Sequence, residues 1–389
     1  MAINIELSKR VKDLPPYIFA RIDKIKKNAR DKGADIIDIG IGDPDMPTPK
    51  HIVEAMKVAV ENPEHHRYPS YEGMWSYRVE VANWYKRRFN VTLDPATEVL
   101  SLIGSKEGIG HLPLAFVDDG DVVLCPSPGY PVYEIGTIFA SGIPYLMPLK
   151  DENSFFPDFA AIPAAVLKRA KIMFLNYPNN PTSATCTEED FKRAIELAFK
   201  YNIIICHDAA YTEMYYDGKR PISFMEMDGA KEVGLEVHSL SKTYNMTGWR
   251  IGFAVGNKDA VGGLGKVKTN LDSGVFQAIQ ETAITALNTD EAILEANRKI
   301  YQVRRDALYD GLSKIGIEVN KPKATFYMWA KVPAGFTSES FAMHLIEKAA
   351  IIVTPGNGFG VPGEGYIRFA LTVGIERLQE AIERIKKVI

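Results

Sequence analysis

The sequence predicts an α/β protein: a main domain with a largely parallel sheet between helices, and a smaller α+β domain beside it. Three observations predict this. Short apolar runs alternate with amphipathic segments through the middle of the chain. Several of those runs are apolar along their whole length, the pattern of strands covered on both faces. Past residue 290 the alternation gives way to helical segments around a few isolated strand-like runs.

In chain order, the strand-like runs are Val99 to Ile103, Val122 to Cys125, Lys171 to Asn176, Ile203 to His207, Glu236 to Ser239 and Gly252 to Val255. Between the third and fourth lies a helix with its own start signal. Thr187 and Asp190 form a capping-box pair, and Phe191, Ala194, Ile195 and Ala198 make one apolar face. Strand, helix, strand at this spacing gives parallel neighbours with a right-handed crossover. The C-terminal part offers a helix over Ile300 to Ile315, a strand over Phe326 to Ala330, a helix near Ser338 to Ala350 and a last helix from Glu376. The expected division is residues 44–290 for the large domain and 291–389 for the small one, with residues 1–43 joining the small domain. The Pro-rich stretch Asp43 to Pro49 makes the crossing between them.

A chain of 389 residues exceeds one ordinary core. With 46% hydrophobic and 24% charged residues it is globular in composition, and a formal charge of −3 argues against a nucleic-acid-binding face. The first twelve residues lack the apolar run of a signal peptide, and no stretch approaches the roughly 18 apolar residues that cross a bilayer. Cys125, Cys186 and Cys206 are an odd set without metal-ligand spacing, which suits a reducing compartment. The expectation is a cytoplasmic protein with no metal, no membrane partner and no nucleic acid.

The residues that carry chemistry cluster at strand ends. The stretch His238 to Arg250 follows a strand-like run and contains Ser239, Ser241, Lys242 and Arg250. A lysine that attacks an aldehyde must be deprotonated, so it needs a desolvated or cation-rich site. A phosphate beside it needs hydroxyl donors and a fork-shaped cation, which Ser239, Ser241 and Arg250 supply. A lone lysine in such a loop is ordinarily only solvated; the spacing as a whole argues otherwise. Asp208 ends another run, at the edge where open α/β sheets bind ligands, although a carboxylate there also serves as a helix cap. Gly104, Ser105 and Lys106 end a strand and open a helix, a weak signal for phosphate at backbone N–H groups.

At Ser239 to Arg250 the sequence resembles the class I/II aminotransferases, the fold-type I pyridoxal-phosphate enzymes, whose lysine motif runs Ser-x-Ser-Lys and then Gly-x-Arg. Further motifs in the expected order extend the likeness over nearly the whole chain. The resemblance implies a seven-stranded sheet in the large domain and pyridoxal 5′-phosphate as cofactor. By it, Lys242 carries the cofactor, Arg250 holds the phosphate with Ser105 and Lys106, and Asp208 pairs with the ring nitrogen. Asn180, in Asn176 to Thr182, and Tyr211 bond the phenolic oxygen, and Tyr130 stacks on the ring. The family usually follows that Thr with Gly, where this chain has Ser183. Tyr68, with Tyr71 as its runner-up, reaches the phosphate from a neighbouring subunit, and Asn270 also crosses the interface, so a homodimer with shared sites is expected. Arg368 binds the substrate carboxylate, and Tyr17 and Gly42 line the pocket with Lys106, Tyr130 and Asn180. His207, beside Asp208, is expected to be structural.

Within this family, Arg67 to Met74, Leu102 to Gly108 and Ser241 to Gly256 look like the diaminopimelate-specific branch. That implies transamination of LL-2,6-diaminopimelate with 2-oxoglutarate in lysine biosynthesis. Alanine or aspartate transamination, or a same-fold C–S lyase, are the alternatives. One departure bears on specificity: the plant-type pattern has Glu where this chain has Tyr71, with Glu72 adjacent.

Overall fold

The computed structural model describes residues 3–12, 14 and 33–389, so Tyr17 lies outside the described residues. The strands are β1 (Ile37–Asp38), β2 (Val99–Leu102), β3 (Val122–Ser127), β4 (Ile143–Pro148), β5 (Ala170–Asn176), β6 (Ile204–Asp208), β7 (Gly234–Ser239), β8 (Gly252–Gly256), β9 (Tyr327–Lys331), β10 (Ile351–Ile352), β11 (Thr354–Pro355) and β12 (Tyr366–Ala370).

A seven-stranded sheet runs in the order β2-β8-β7-β6-β5-β3-β4. Its neighbours are parallel except at β8, which is antiparallel to both β2 and β7. The six expected strands are all present. The seventh, β4, escaped the apolar-run criterion because it is an edge strand, largely exposed and carrying Pro144 and Pro148, which an edge tolerates.

Apolar runs without alternation follow from burial on two faces. Val122 and Leu124 point into one core with Val81, Trp84, Phe191 and Ala194. Their neighbours Val123 and Cys125 point into another with Ile109, Leu112 and Leu264. Successive side chains of a strand face opposite ways, so both faces must be apolar when helices cover both. The helix Glu188–Tyr201 starts on the expected capping box, with Thr187 and Asp190 bonded reciprocally, and buries Phe191, Ala194, Ile195 and Ala198.

A third core joins the antiparallel sheet β11-β12-β9 to the helices Ser338–Ala349 and Ile375–Lys386. Ile37 and Ile39 lie in it, and β1 pairs with β10, so residues 37–39 pack with the C-terminal region. The helix expected from Ile300 begins at Glu291 and runs to Lys314. Its first turns are mostly exposed, which hid the apolar period there. The crossing near Asp43 to Pro49 is tied to that helix by Arg304, which forks onto both Asp45 carboxylate oxygens at 2.7 and 2.8 Å. Among the described residues no helix is long and apolar enough to cross a membrane.

Candidate active site

Because β2, β3, β5, β6 and β7 run one way, their carboxyl ends meet at one edge of the sheet. The antiparallel β8 brings its amino end to that same edge. Asp208 ends β6, Ser239 ends β7, Asn176 ends β5, Gly104 follows β2 closely and Arg250 precedes β8. Loops from this edge and strands of the C-terminal region enclose a cavity of ≈ 410 Å³. Its walls bring together Gly42, Ser105, Lys106, Tyr130, Asn180, Asp208, Tyr211, Ser239, Ser241, Lys242, Arg250 and Arg368, twelve positions picked from sequence.

Lys242 sits in the turn Leu240–Thr243, capped by the Ser239 hydroxyl, which accepts from the Ser241 N–H at 3.2 Å. Its Nζ donates to the Gly42 carbonyl oxygen at 3.2 Å and lies 5.6 Å from the Phe326 ring centroid. Burial is the main force pulling its pKa down to about 8, helped by the positive charges of Arg250 and Arg368 and opposed by Asp43 and Asp208. A substantial share of this amine is therefore neutral near pH 8, the form that attacks a carbonyl.

Asp208 is buried, and burial pushes its pKa up. The Tyr133 hydroxyl donates to Oδ2 at 2.8 Å and the Ala210 N–H to Oδ1 at 3.2 Å. This desolvated carboxylate suits a cationic or protonated partner. His207, its strand neighbour, faces the other way: Nδ1 bonds Glu236 at 2.8 Å, and Nε2 accepts the Tyr177 N–H at 3.3 Å. Glu236 also accepts from Tyr85, Ser223 and the Phe224 N–H, each at 2.7 Å. Burial alone would raise its pKa, but the His207 and His238 bonds prevail and hold it well below the usual range. His207 is thus structural, beneath the site.

Arg368, also in the cavity wall, is buried with its guanidinium carbon 4.1 Å from the Tyr327 ring centroid and 4.7 Å from that of Phe359. Nη1 donates to Asn180 Oδ1 and Nη2 to the Gly40 carbonyl oxygen, both at 2.7 Å. Because arginine only donates, this bond assigns the amide oxygen of Asn180 to Arg368 and leaves its NH₂ for the cavity. Burial lowers the Arg368 pKa, yet a guanidinium stays charged, so it is a fixed, poorly hydrated cation.

The turn after β5 is organised by Asn176, which sequence reasoning placed in the motif without a role. Its Nδ2 donates to the Asp208 carbonyl oxygen at 2.8 Å, and its Oδ1 accepts the Asn180 N–H at 2.9 Å. The Tyr177–Pro178 and Asn180–Pro181 peptides in this turn are cis. Gly104 has a φ of 73°, and a Cβ there would run into the Arg250 guanidinium, so glycine is what lets the helix Ser105–Phe116 begin against Arg250. Lys106 Nζ lies 5.9 Å from the Tyr130 ring centroid.

Tyr327 was missed. It lines the cavity, its hydroxyl bonds that of Tyr211 at 2.9 Å, and a Cβ on Gly42 would overlap it. Within the run Phe326 to Ala330 it had no local signal separating it from core aromatics.

Tyr68 and Asn270 are not among the cavity residues of the single chain. Tyr68 is 88% exposed, and Asn270 is exposed on the helix Lys258–Leu271, its Nδ2 spent on the Lys266 carbonyl oxygen. Tyr71 is half-exposed, and the exposed Glu72 carboxylate lies 3.5 Å from Arg78. Glu107, His111 and Asp272 approach one another closely, but the buried Lys268 ammonium already sits 2.9 Å from Asp272 and 3.5 Å from Glu107.

The donor set fits a phosphorylated aromatic aldehyde. A guanidinium, a helix start and hydroxyls mark one end, and the Ser241 oxygen is buried without a hydrogen-bond partner among the described residues. A desolvated carboxylate and a low-pKa amine complete the set.

The chain belongs to the aminotransferases of class I and II, whose family profile matches residues 34–385. It is a pyridoxal-phosphate-dependent aminotransferase of the fold-type I architecture. Among curated proteins it is similar to the LL-diaminopimelate aminotransferase of Aquifex aeolicus, at 58% identity over 98% of this chain and 99% of that one. The enzyme of the same name from Syntrophobacter fumaroxidans is 55% identical over 98% of both. Among solved structures, that of apo-BacF from Bacillus subtilis superimposes with a TM-score of 0.95 at 40% identity, over 99% of this chain and 98% of that one.

Proposed function

We propose that this aminotransferase acts on LL-2,6-diaminopimelate, with 2-oxoglutarate as amino acceptor, in lysine biosynthesis. The carrying observation is the cavity that sets Arg368, pinned between two aromatic rings, against the buried amine of Lys242. Relatives of that name, matching end to end, support the substrate.

In this reading residues 44–290 form the cofactor domain, and residues 1–43 and 291–389 the small one. Lys242 holds the cofactor covalently, while Ser105, Lys106, Ser239, Ser241 and Arg250 bind its phosphate. Tyr130 stacks on its ring, Asn180 and Tyr211 donate to its phenolic oxygen, and Asp208 keeps a proton on its ring nitrogen. Bound pyridoxal phosphate supplies an electron sink for the charge left when the substrate's Cα proton departs. Arg368 grips the α-carboxylate at both oxygens and so orients the Cα–H bond. Once the substrate's amino group has displaced it from the cofactor, the freed Lys242 amine would accept the Cα proton, its pKa of about 8 suiting base work near neutrality. Gly42 and Tyr17 shape the pocket; Lys106 takes the distal carboxylate, and Tyr17, Glu72 and Asn270, the last across the proposed dimer interface, hold the distal ammonium.

A buried distal ammonium, hydrogen-bonded, discriminates against substrates lacking it by up to about 10⁴-fold. The test compares kcat/KM for LL-diaminopimelate with aspartate, glutamate, alanine and the meso isomer. Preference for LL-diaminopimelate is expected; alanine or aspartate better by about tenfold would overturn the substrate while leaving the reaction class.

The proposed active form is a cytoplasmic homodimer, because Tyr68 and Asn270 stand outside their own chain's cavity. Sedimentation at assay concentration should give a species of twice the 43.3 kDa chain mass. A fully active monomer would refute shared sites.

A further inference from the structure

After Asn180-Pro-Thr182 the chain has Ser183 with a φ of 62°, a left-handed conformation that costs a residue with a Cβ about 1 kcal/mol. Its side chain is 5% exposed. The hydroxyl donates to the Tyr327 carbonyl oxygen at 2.8 Å and also meets Thr325 Oγ1 at 2.8 Å. A hydroxyl has one proton, so the Thr325 hydroxyl must be the donor in the second bond. Thr325 Oγ1 in turn accepts the Tyr327 N–H at 3.0 Å. The three bonds close a ring that fixes both backbone polar groups of Tyr327, away from water.

Tyr327 then sits where placement matters. Its ring faces Arg368, its hydroxyl bonds Tyr211, and its tip fills the space a side chain on Gly42 would need. The turn carrying Ser183 also carries Asn180, which holds Arg368. That turn is itself stiff: the Ser183 N–H bonds the Asn179 carbonyl oxygen, and the Asn179 N–H that of Ala184, both at 2.9 Å.

We propose that Ser183 is a positioning residue of the carboxylate site, acting through Tyr327: its hydroxyl clasps β9 to the turn after β5 and so sets the ring against which Arg368 receives a carboxylate. This rests on the reading of Arg368 as the carboxylate anchor. A small misplacement of a binding group costs about ten- to a hundredfold, which sets the size of the expected effect.

The test uses the holoenzyme and glutarate, a dicarboxylate with neither amino nor keto group. Its binding is followed by calorimetry, beside steady-state kinetics and thermal unfolding. Ser183→Gly removes the hydroxyl while easing the left-handed backbone, so the protein should fold with little change in Tm. The glutarate Kd and the KM of both amino donor and 2-oxo acid should rise about tenfold, with KM moving more than kcat. Ser183→Ala, which keeps the Cβ, should lose glutarate affinity equally. Unchanged Kd in Ser183→Gly, or a loss in Gly that Ala does not share, overturns the proposal. Arg368→Lys is the reference. If it binds glutarate like the wild type, the anchor reading falls and the clasp with it. If it loses affinity while both Ser183 variants keep it, only the clasp falls.

Discussion

Lys242→Ala is expected to abolish the borohydride-reducible link to the cofactor and to slow transamination by about 10⁴-fold or more, because the variant loses both attachment and Cα proton transfer. The amine is buried against the Gly42 carbonyl oxygen and the Phe326 ring, where water is a poor substitute. Mass spectrometry after reduction and single-turnover kinetics read the two losses separately; normal turnover in the variant would end the aminotransferase mechanism proposed for this cavity. The same residue predicts a pH dependence. Its pKa is depressed to about 8, so the cofactor-free protein keeps the lysine protonated below that value and releases the reactive amine as pH rises through it. Covalent capture of pyridoxal phosphate should climb through pH 8, and a midpoint above about 9.5 would mean an ordinary solvated lysine.

Asp208→Ala is the second large effect. The carboxylate is desolvated, holds two hydrogen bonds among the described residues, and has a pKa raised by burial, so it favours a partner that brings a proton or positive charge. Removing it should lower kcat on the order of 10²–10³-fold, the range for losing one electrostatic stabiliser, with a much smaller change in cofactor affinity. Tyr133 would lose its acceptor as well, so Asp208→Asn is the better isostere for separating packing from charge. If kcat survives within about threefold, Asp208 does not serve the ring nitrogen.

The site was legible in the sequence wherever chemistry and position coincide locally. Asp208 and Ser239 sit at the ends of strands whose apolar runs are plain, and a parallel sheet brings such ends to one edge. Ser183 was visible as a departure from the glycine that the resemblance implies, but its meaning was not: its φ is left-handed, and its hydroxyl bonds Thr325 and Tyr327. Both partners lie more than 140 residues away in the chain.

By itself, the sequence determined the α/β sheet, its both-sides-covered strands, the capped helix after Thr187 and the Lys242, Asp208 and Arg250 that meet in the cavity, whereas Arg368 rested on the family resemblance alone. These depend on side-chain period, on caps and on residue chemistry, which are local. Only the tertiary structure decided that β4 completes the sheet, since an edge strand needs no continuous apolar run. It also decided that Tyr327 braces Arg368, and that Asn180 turns its oxygen to the arginine. Those are contacts between residues remote in sequence, fixed by how two packed cores meet.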